Sequence, residues 1–100
     1  MNIRDIQREI HEVSRSKGWY DDPIRSDLED LMLVVTEVAE VVEELRRPTI
    51  DESKVSEEVA DIAIRLLDFA AKKGIDLEAA ILAKHEKNKT RPYRHGGKRY

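Results

Sequence analysis

The sequence predicts an all-α protein with a four-helix bundle-like fold that forms an oligomer. Apolar residues recur at steps of three and four, four such segments end at Gly or Pro and the last three begin at capping signals, and no useful stretch alternates as a strand does. Residues 1–100 are expected to form a single domain. Because a domain of this size has a thin core, burial against a partner subunit is one way to complete it.

The first predicted helix is amphipathic and ends near Gly18. Its apolar residues recur at helical spacing: Ile3, Ile6, Ile10 and Val13. Glycine commonly ends a helix because it adopts a positive φ without strain. The following residues, 19–25, contain a proline and are expected to form a loop.

The second predicted helix starts at a capping box formed by Ser26 and Glu29, and Pro48 stops it after Arg46 or Arg47. One wide side of this helix is apolar: Leu28, Leu31, Met32, Val34, Val35, Val38, Ala39, Val41, Val42 and Leu45. The other side carries two glutamates at the spacing i and i+3, Glu37 and Glu40, with Leu33 between them.

The third predicted helix starts within residues 49–53 and runs to about Lys73, where Gly74 stops it. Asp76 is placed to cap a fourth helix, which continues to Lys89 or Arg91. The short linker predicts that these two helices pack as an antiparallel pair. The third helix is apolar nearly all round, which predicts cover on several sides and hence a dimer or larger assembly.

Composition excludes several classes of protein. The chain contains no cysteine, which removes disulfides, thiolate metal sites and cysteine nucleophiles. No apolar run approaches the roughly 20 residues that a membrane helix needs, and the N-terminus is too charged for a secretory signal. We therefore expect a soluble, cytoplasmic protein.

Acidic residues predominate in most of the chain, and basic residues predominate at its C-terminal end. Residues 1–83 hold 11 Lys/Arg and 20 Asp/Glu, a net charge of −9, whereas the basic tail, residues 84–100, holds seven Lys/Arg and one Glu, a net charge of +6. The end of this tail has too few apolar residues to pack by itself, so it is either disordered or ordered by a ligand or a neighbouring subunit. A metal–phosphate ligand would suit both parts, because it offers cations to the acids and anionic oxygens to the tail.

Two carboxylate pairs are candidates for a metal site, one on the second helix and one on the third: Glu37 with Glu40, and Glu58 with Asp61. Residues three apart share a helix face, so all four converge if the two helices lie side by side. An all-oxygen site suits Mg²⁺, with Mn²⁺ as an alternative. A single such pair is more typical of a solvated face, and that interpretation is kept for Glu43, Glu44 and Glu57.

Other polar and aromatic residues are interpreted individually. Arg65 and Asp68 lie on the same polar strip of the third helix and are candidates for a shell that supports the metal ligands. Trp19 is the chain's one tryptophan; it either stacks on a nucleobase or packs against the bundle. His11 and His85 are interpreted as surface residues.

The four acids, Glu37-x-x-Glu40, seventeen residues and then Glu58-x-x-Asp61, resemble the ExxE…ExxD signature of MazG-like nucleotide pyrophosphohydrolases, within the all-α nucleoside triphosphate pyrophosphatases. The resemblance covers nearly the whole chain, including the segment EEVADIAIRLLD, the turn GIDLEAA and the ending KHEKNKTRPYRHGGKRY. It implies hydrolysis of a nucleoside triphosphate between its α and β phosphates, which yields a monophosphate and pyrophosphate and would cleanse the nucleotide pool.

The same resemblance implies roles for individual residues. The four acids would bind Mg²⁺, and one glutamate of the first pair, Glu37 or Glu40, would help to deprotonate the attacking water. Five residues match the C-terminal motif or add basic charge to it and would contact phosphates or sugar: Lys84, Asn88, Arg91, Tyr93 and Arg94. Family members often build the site across subunits, so a homodimer or homotetramer is expected.

Two other functions stay open on sequence grounds. One is a non-catalytic all-α oligomer with a regulatory role, in which the acids are only a solvated face. The other is a nucleic-acid-binding module that uses the basic tail. The second ranks lower because the acidic body would repel a polyanion.

Overall fold

The computed structural model describes residues 1–93 and contains four α-helices. No strand occurs among these residues, so the all-α prediction is confirmed. Within the same part of the chain, none of the helices combines the length and hydropathy that crossing a bilayer requires. The helices are α1 (Ile3–Ser16), α2 (Asp27–Leu45), α3 (Glu52–Lys72) and α4 (Leu77–Lys89).

Local capping interactions account for the helix boundaries. The predicted box at α2 is present: the Ser26 hydroxyl accepts from the Glu29 backbone N–H, and the Glu29 carboxylate accepts from the Ser26 N–H. Asp51 and Asp76 cap α3 and α4 through their side chains. Two glycines with positive φ follow α1 and α3, Gly18 at 81° and Gly74 at 71°.

The interface between α2 and α3 is a seam of ion pairs. On α2, acids recur at steps of seven residues, and each contacts a cation of α3, in antiparallel order: Asp30 with Lys72, Glu37 with Arg65, and Glu44 with Lys54. A step of seven residues returns to nearly the same face of a helix. Three carboxylates of α2 therefore face α3, although the sequence suggested that glutamates of α2 lie away from its packed side.

The wide apolar side of α2 points away from α3. Seven large apolar residues of α2 are exposed: Leu28, Leu31, Met32, Val35, Val38, Val42 and Leu45. Among the apolar residues of the described part, only Ala70 is fully buried. The Cα radius of gyration is 16.4 Å, compared with about 13 Å for a compact domain of this length. A single chain thus lacks a closed core.

The helix α4 is attached mainly through its first turn. Arg4 of α1 pairs with Asp76 and Glu78 at 2.9 and 3.0 Å, and Gln7 donates to the Ile75 carbonyl at 2.8 Å. Beyond Glu78, the side chains of α4 are exposed, and the helix contacts α1 and α3 but not α2. The expected antiparallel packing of the third and fourth helices is not confirmed, because α4 lies more on α1 than on α3.

Candidate active site

The antiparallel packing of α2 and α3 brings the two acidic pairs to the same part of the seam. Glu40 is exposed, but the negative charge of Glu37, partial desolvation, and the negative charge of Glu58 raise its pKa. Glu37 and Asp61, one from each pair, line the same cavity. The two pairs are therefore neighbours in a single chain, Glu40 with Glu58 and Glu37 with Asp61, but convergence of all four acids on one point stays a prediction.

Glu58 carries an unpaired acceptor. Its Oε2 atom is buried and has no hydrogen-bond donor. A buried acceptor without a donor is costly, and a bound cation would remove that cost. Together with a donor set made of carboxylate oxygens, this atom fits a hard divalent cation such as Mg²⁺.

In this structure the four carboxylates do not form a coordination sphere. Among residues 1–93, no three Asp, Glu or His side chains surround a common point as metal ligands do. One reason is visible at Glu37, whose Oε1 accepts from Arg65 Nε at 2.9 Å. A cation held by all four acids would require carboxylate side chains to turn, and Arg65 would then lie beside it.

A cavity of about 570 Å³ adjoins the acids and lies between α1, α2, α3 and the α1–α2 loop, residues 17–26. This volume is within the range of small-molecule sites. The lining combines apolar, aromatic and charged side chains, and its members include Ile10, Trp19, Tyr20, Arg25, Leu33, Glu37, Asp61, Ile64, Arg65 and Phe69.

Trp19 lies in this cavity beside two guanidinium groups. The Cζ atoms of Arg25 and Arg65 are 5.4 and 5.8 Å from the centre of its ring, within the range of cation–π contacts. The indole is 45% exposed, so it is accessible to a ligand. Its position supports the stacking interpretation of Trp19 more than that of a residue packed into the bundle.

A buried carboxylate fixes the α1–α2 loop. Asp68 accepts from the Tyr20 hydroxyl at 2.7 Å and pairs with His11 Nδ1 at 2.8 Å. Burial and this hydrogen bond raise the pKa of Tyr20, which keeps the phenol protonated as a donor. The interpretation of His11 as a surface residue is wrong, because its imidazole is partly buried between Tyr20 and Asp68. Asp68 supports the loop and contacts none of the four acids.

Asp30 fixes the second arginine of the cavity. Its carboxylate accepts from Arg25 Nε at 2.8 Å and from the ammonium of Lys72. Burial disfavours the charged form of Asp30, but hydrogen bonds from Lys72 and Arg25 outweigh burial and lower its pKa. Sequence inspection missed Tyr20, Arg25 and Asp30; the seven-residue step from Asp30 to Glu37 is the signal that would have indicated Asp30.

The two other glutamates near the end of α2, Glu43 and Glu44, differ in their exposure. Glu43 is exposed and pairs with Arg46 at 3.2 Å, as expected for a solvated residue. Glu44 is only 3% exposed and contacts Arg47 and Lys54, so its interpretation as solvated is wrong. The reason is its place on the α2 face that meets α3, one turn beyond Glu40.

The C-terminal candidates are not gathered at the acids in one chain. Lys84 and Asn88 lie on the exposed part of α4, which does not contact α2, and Arg91 and Tyr93 follow that helix. Arg94 lies outside the described residues. Contact of Lys84 or Asn88 with the acids of α2 would therefore require a neighbouring subunit or a different placement of α4.

A comparison with protein families matches the chain over residues 25–95, and the matching family is described as the MazG nucleotide pyrophosphohydrolase domain. Searches of curated proteins and of solved structures give no match. The matched range includes all four acids and most of the charged residues that line the cavity. The match covers more than half of the chain, and the four helices and the carboxylates of α2 and α3 agree with it. The chain therefore belongs to the MazG nucleotide pyrophosphohydrolase family.

Proposed function

We propose that this protein is a Mg²⁺-dependent pyrophosphohydrolase that cleaves a nucleoside triphosphate between its α and β phosphates. One observation carries the proposal: Glu37 and Asp61, one member of each acidic pair, line the cavity that also holds Trp19. A nucleotide can then place its base against the indole and its phosphates toward the acids. Membership of the family supports the reaction class, and the cavity volume of about 570 Å³ supports a ligand of nucleotide size.

Four side chains would hold the metal: Glu37, Glu40, Glu58 and Asp61. The bound Mg²⁺ would supply neutralisation of phosphate charge and an acidified water molecule. A glutamate of the α2 pair, Glu37 or Glu40, would accept the proton of that water. Arg25 and Arg65, on the cavity wall, are placed to bind anionic oxygens, and guanidinium groups bind phosphate through charge-assisted hydrogen bonds.

We also propose that the protein self-associates and that the basic C-terminal part works on a neighbouring subunit's site. Two observations support this arrangement. The large apolar side of α2 is exposed, and Lys84 and Asn88 stand on a helix that does not contact α2 in the same chain. A second copy could cover the apolar side and bring the phosphate-binding residues, Lys84, Asn88, Arg91, Tyr93 and Arg94, to the acids.

The test is a screen of nucleoside triphosphates with Mg²⁺, in which chromatography identifies the products. Monophosphate and pyrophosphate are expected; diphosphate with phosphate would contradict the proposed bond cleavage. Glu58→Ala should abolish turnover because it removes a direct ligand, whereas Glu43→Ala, which removes an exposed acid of α2 outside the four, should change little. Absence of turnover with every triphosphate would favour the regulatory oligomer.

A further inference from the structure

Arg65 occupies the boundary between the acids and the cavity. Its guanidinium donates to Glu37 at 2.9 Å and also lies 5.8 Å from the centre of the Trp19 ring. One side chain therefore contacts both a candidate metal ligand and the candidate base-stacking residue. Arg65 is partly buried, with 27% of its side chain exposed, so its charge is only partly screened by water.

We propose that Arg65 is a positioning residue that neutralises Glu37 while no metal is bound, leaves Glu37 when Mg²⁺ binds, and thereby couples the metal site to the Trp19 cavity. The inference rests on the metal site of the proposed function. It adds that the Arg65 guanidinium and Mg²⁺ compete for Glu37, and that the outcome changes the contact of Arg65 with the Trp19 ring.

Electrostatics gives the first step of this coupling. Four carboxylates in one region repel one another, and the guanidinium of Arg65, 2.9 Å from Glu37, reduces that repulsion. A divalent cation placed among the acids performs the same neutralisation and repels the guanidinium. The two cations would therefore compete for Glu37, which Arg65 contacts in this structure.

The second step of the coupling depends on which acid holds each arginine. Arg25 and Arg65 both lie over Trp19, but they pair with different carboxylates. Arg25 is held by Asp30, which Lys72 also binds, and this cluster does not include any of the four acids. Metal binding should therefore leave Arg25 in place and move only Arg65. The released guanidinium stays at the cavity wall, where it can bind the phosphates of a nucleotide whose base stacks on Trp19.

The experiment uses Mg²⁺ alone, with no nucleotide. Calorimetry measures the affinity, and the fluorescence of the chain's one tryptophan reports the contact of Arg65 with the indole. In the native protein, Mg²⁺ should change the fluorescence with the same midpoint as the calorimetric titration. Arg65→Gln should tighten Mg²⁺ binding about tenfold, equivalent to ~1.4 kcal/mol, and remove the fluorescence change.

Two further variants provide controls. Arg65→Lys keeps the charge and should keep an affinity near the native value. Arg25→Gln removes the other cation beside Trp19 without touching the acids, so it should leave the Mg²⁺ affinity unchanged. Circular dichroism checks that each variant keeps its helices.

The possible outcomes separate this inference from the proposed function. If the native protein binds Mg²⁺ but Arg65→Gln binds it equally or more weakly, the competition is wrong and the metal site stands. If the native protein binds no Mg²⁺, both are wrong. If Arg65→Gln does not fold, the native titration decides, because saturation by Mg²⁺ without a fluorescence change overturns the coupling.

Discussion

Four carboxylates within one region of the α2–α3 interface repel one another, and this repulsion lowers the stability of the fold. A ligand that binds only the folded state stabilises it by mass action. If the four acids bind Mg²⁺ as proposed, Mg²⁺ at about 100 times its Kd should raise the melting temperature by roughly 10–20 °C. The double variant Glu40→Gln, Asp61→Asn should lose most of this increase in a thermal melt and keep its helical circular dichroism.

Glu43→Gln is the matched control for that melt, because Glu43 lies on the same helix but pairs only with Arg46. It should keep the native increase. An equal increase in the double variant and the native protein would identify the acids as a solvated face that binds cations weakly and without selectivity.

Arg91 tests the contribution of the basic C-terminal part. Loss of a charge-assisted contact to phosphate costs about 1.5–3 kcal/mol, so Arg91→Ala should reduce kcat/KM by roughly 10- to 150-fold. The measurement is steady-state hydrolysis of the best triphosphate from the screen. A variant with native kcat/KM would mean that Arg91 does not contact the substrate during the reaction.

At the level of the helices, α2 and α3 are paired through charges as well as apolar contacts. The pair between Asp30 and Lys72 is the most buried of the three in this seam, with side chains 9% and 16% exposed. Because Lys72 and Arg25 depress the pKa of Asp30, its contribution to stability is present above the usual aspartate pKa of 3.8 and is lost as the pH falls through the lower value of the folded state.

Asp30→Asn should therefore reduce the free energy of unfolding by roughly 1.5–3 kcal/mol at neutral pH. The stabilities of the variant and the native protein should converge as the pH falls well below 3.8. Urea unfolding at several pH values measures both. Asp27→Asn is the control: Asp27 pairs with Lys72 and Lys73 but is 41% exposed, so its loss should cost much less. A difference that persists unchanged into acid would mean that Asp30 acts through packing.

For the whole molecule, the exposed apolar side of α2 is the surface on which the proposed self-association depends. Six of its exposed residues alternate at steps of three and four, the pattern of a helix that packs on another helix: Leu28, Leu31, Val35, Val38, Val42 and Leu45. Light scattering should therefore give at least the mass of a dimer at micromolar concentration. A clean monomer would contradict self-association and the site shared between subunits.

Two neighbouring substitutions test that interface. Val42→Lys places a charge within the exposed apolar stripe and should weaken association at least tenfold in Kd, ~1.4 kcal/mol. Glu43→Lys places the same charge one residue further on, outside the stripe, and should leave association unchanged. Sedimentation measures both. Equal weakening would point to net charge instead of a specific apolar contact.

The sequence by itself determined the helices and the pairing of the acids. Caps at Ser26, Asp51 and Asp76 and the glycines after α1 and α3 act within four residues, so each boundary follows from local sequence. The i and i+3 spacing likewise places two carboxylates on one face of each helix whatever lies nearby. The family signature was readable for the same reason.

Only the tertiary structure decided which face of α2 meets α3. The apolar residues of α2 suggested one packed side, but the helix turns Asp30, Glu37 and Glu44 toward the cations of α3 and leaves the larger apolar side exposed. That choice depends on partners 10 to 42 residues away in the chain. The position of Arg65 between Glu37 and Trp19 follows from it. The partial burial of His11 instead follows from the packing of α1 on α3, and both require contacts between helices that no local pattern encodes.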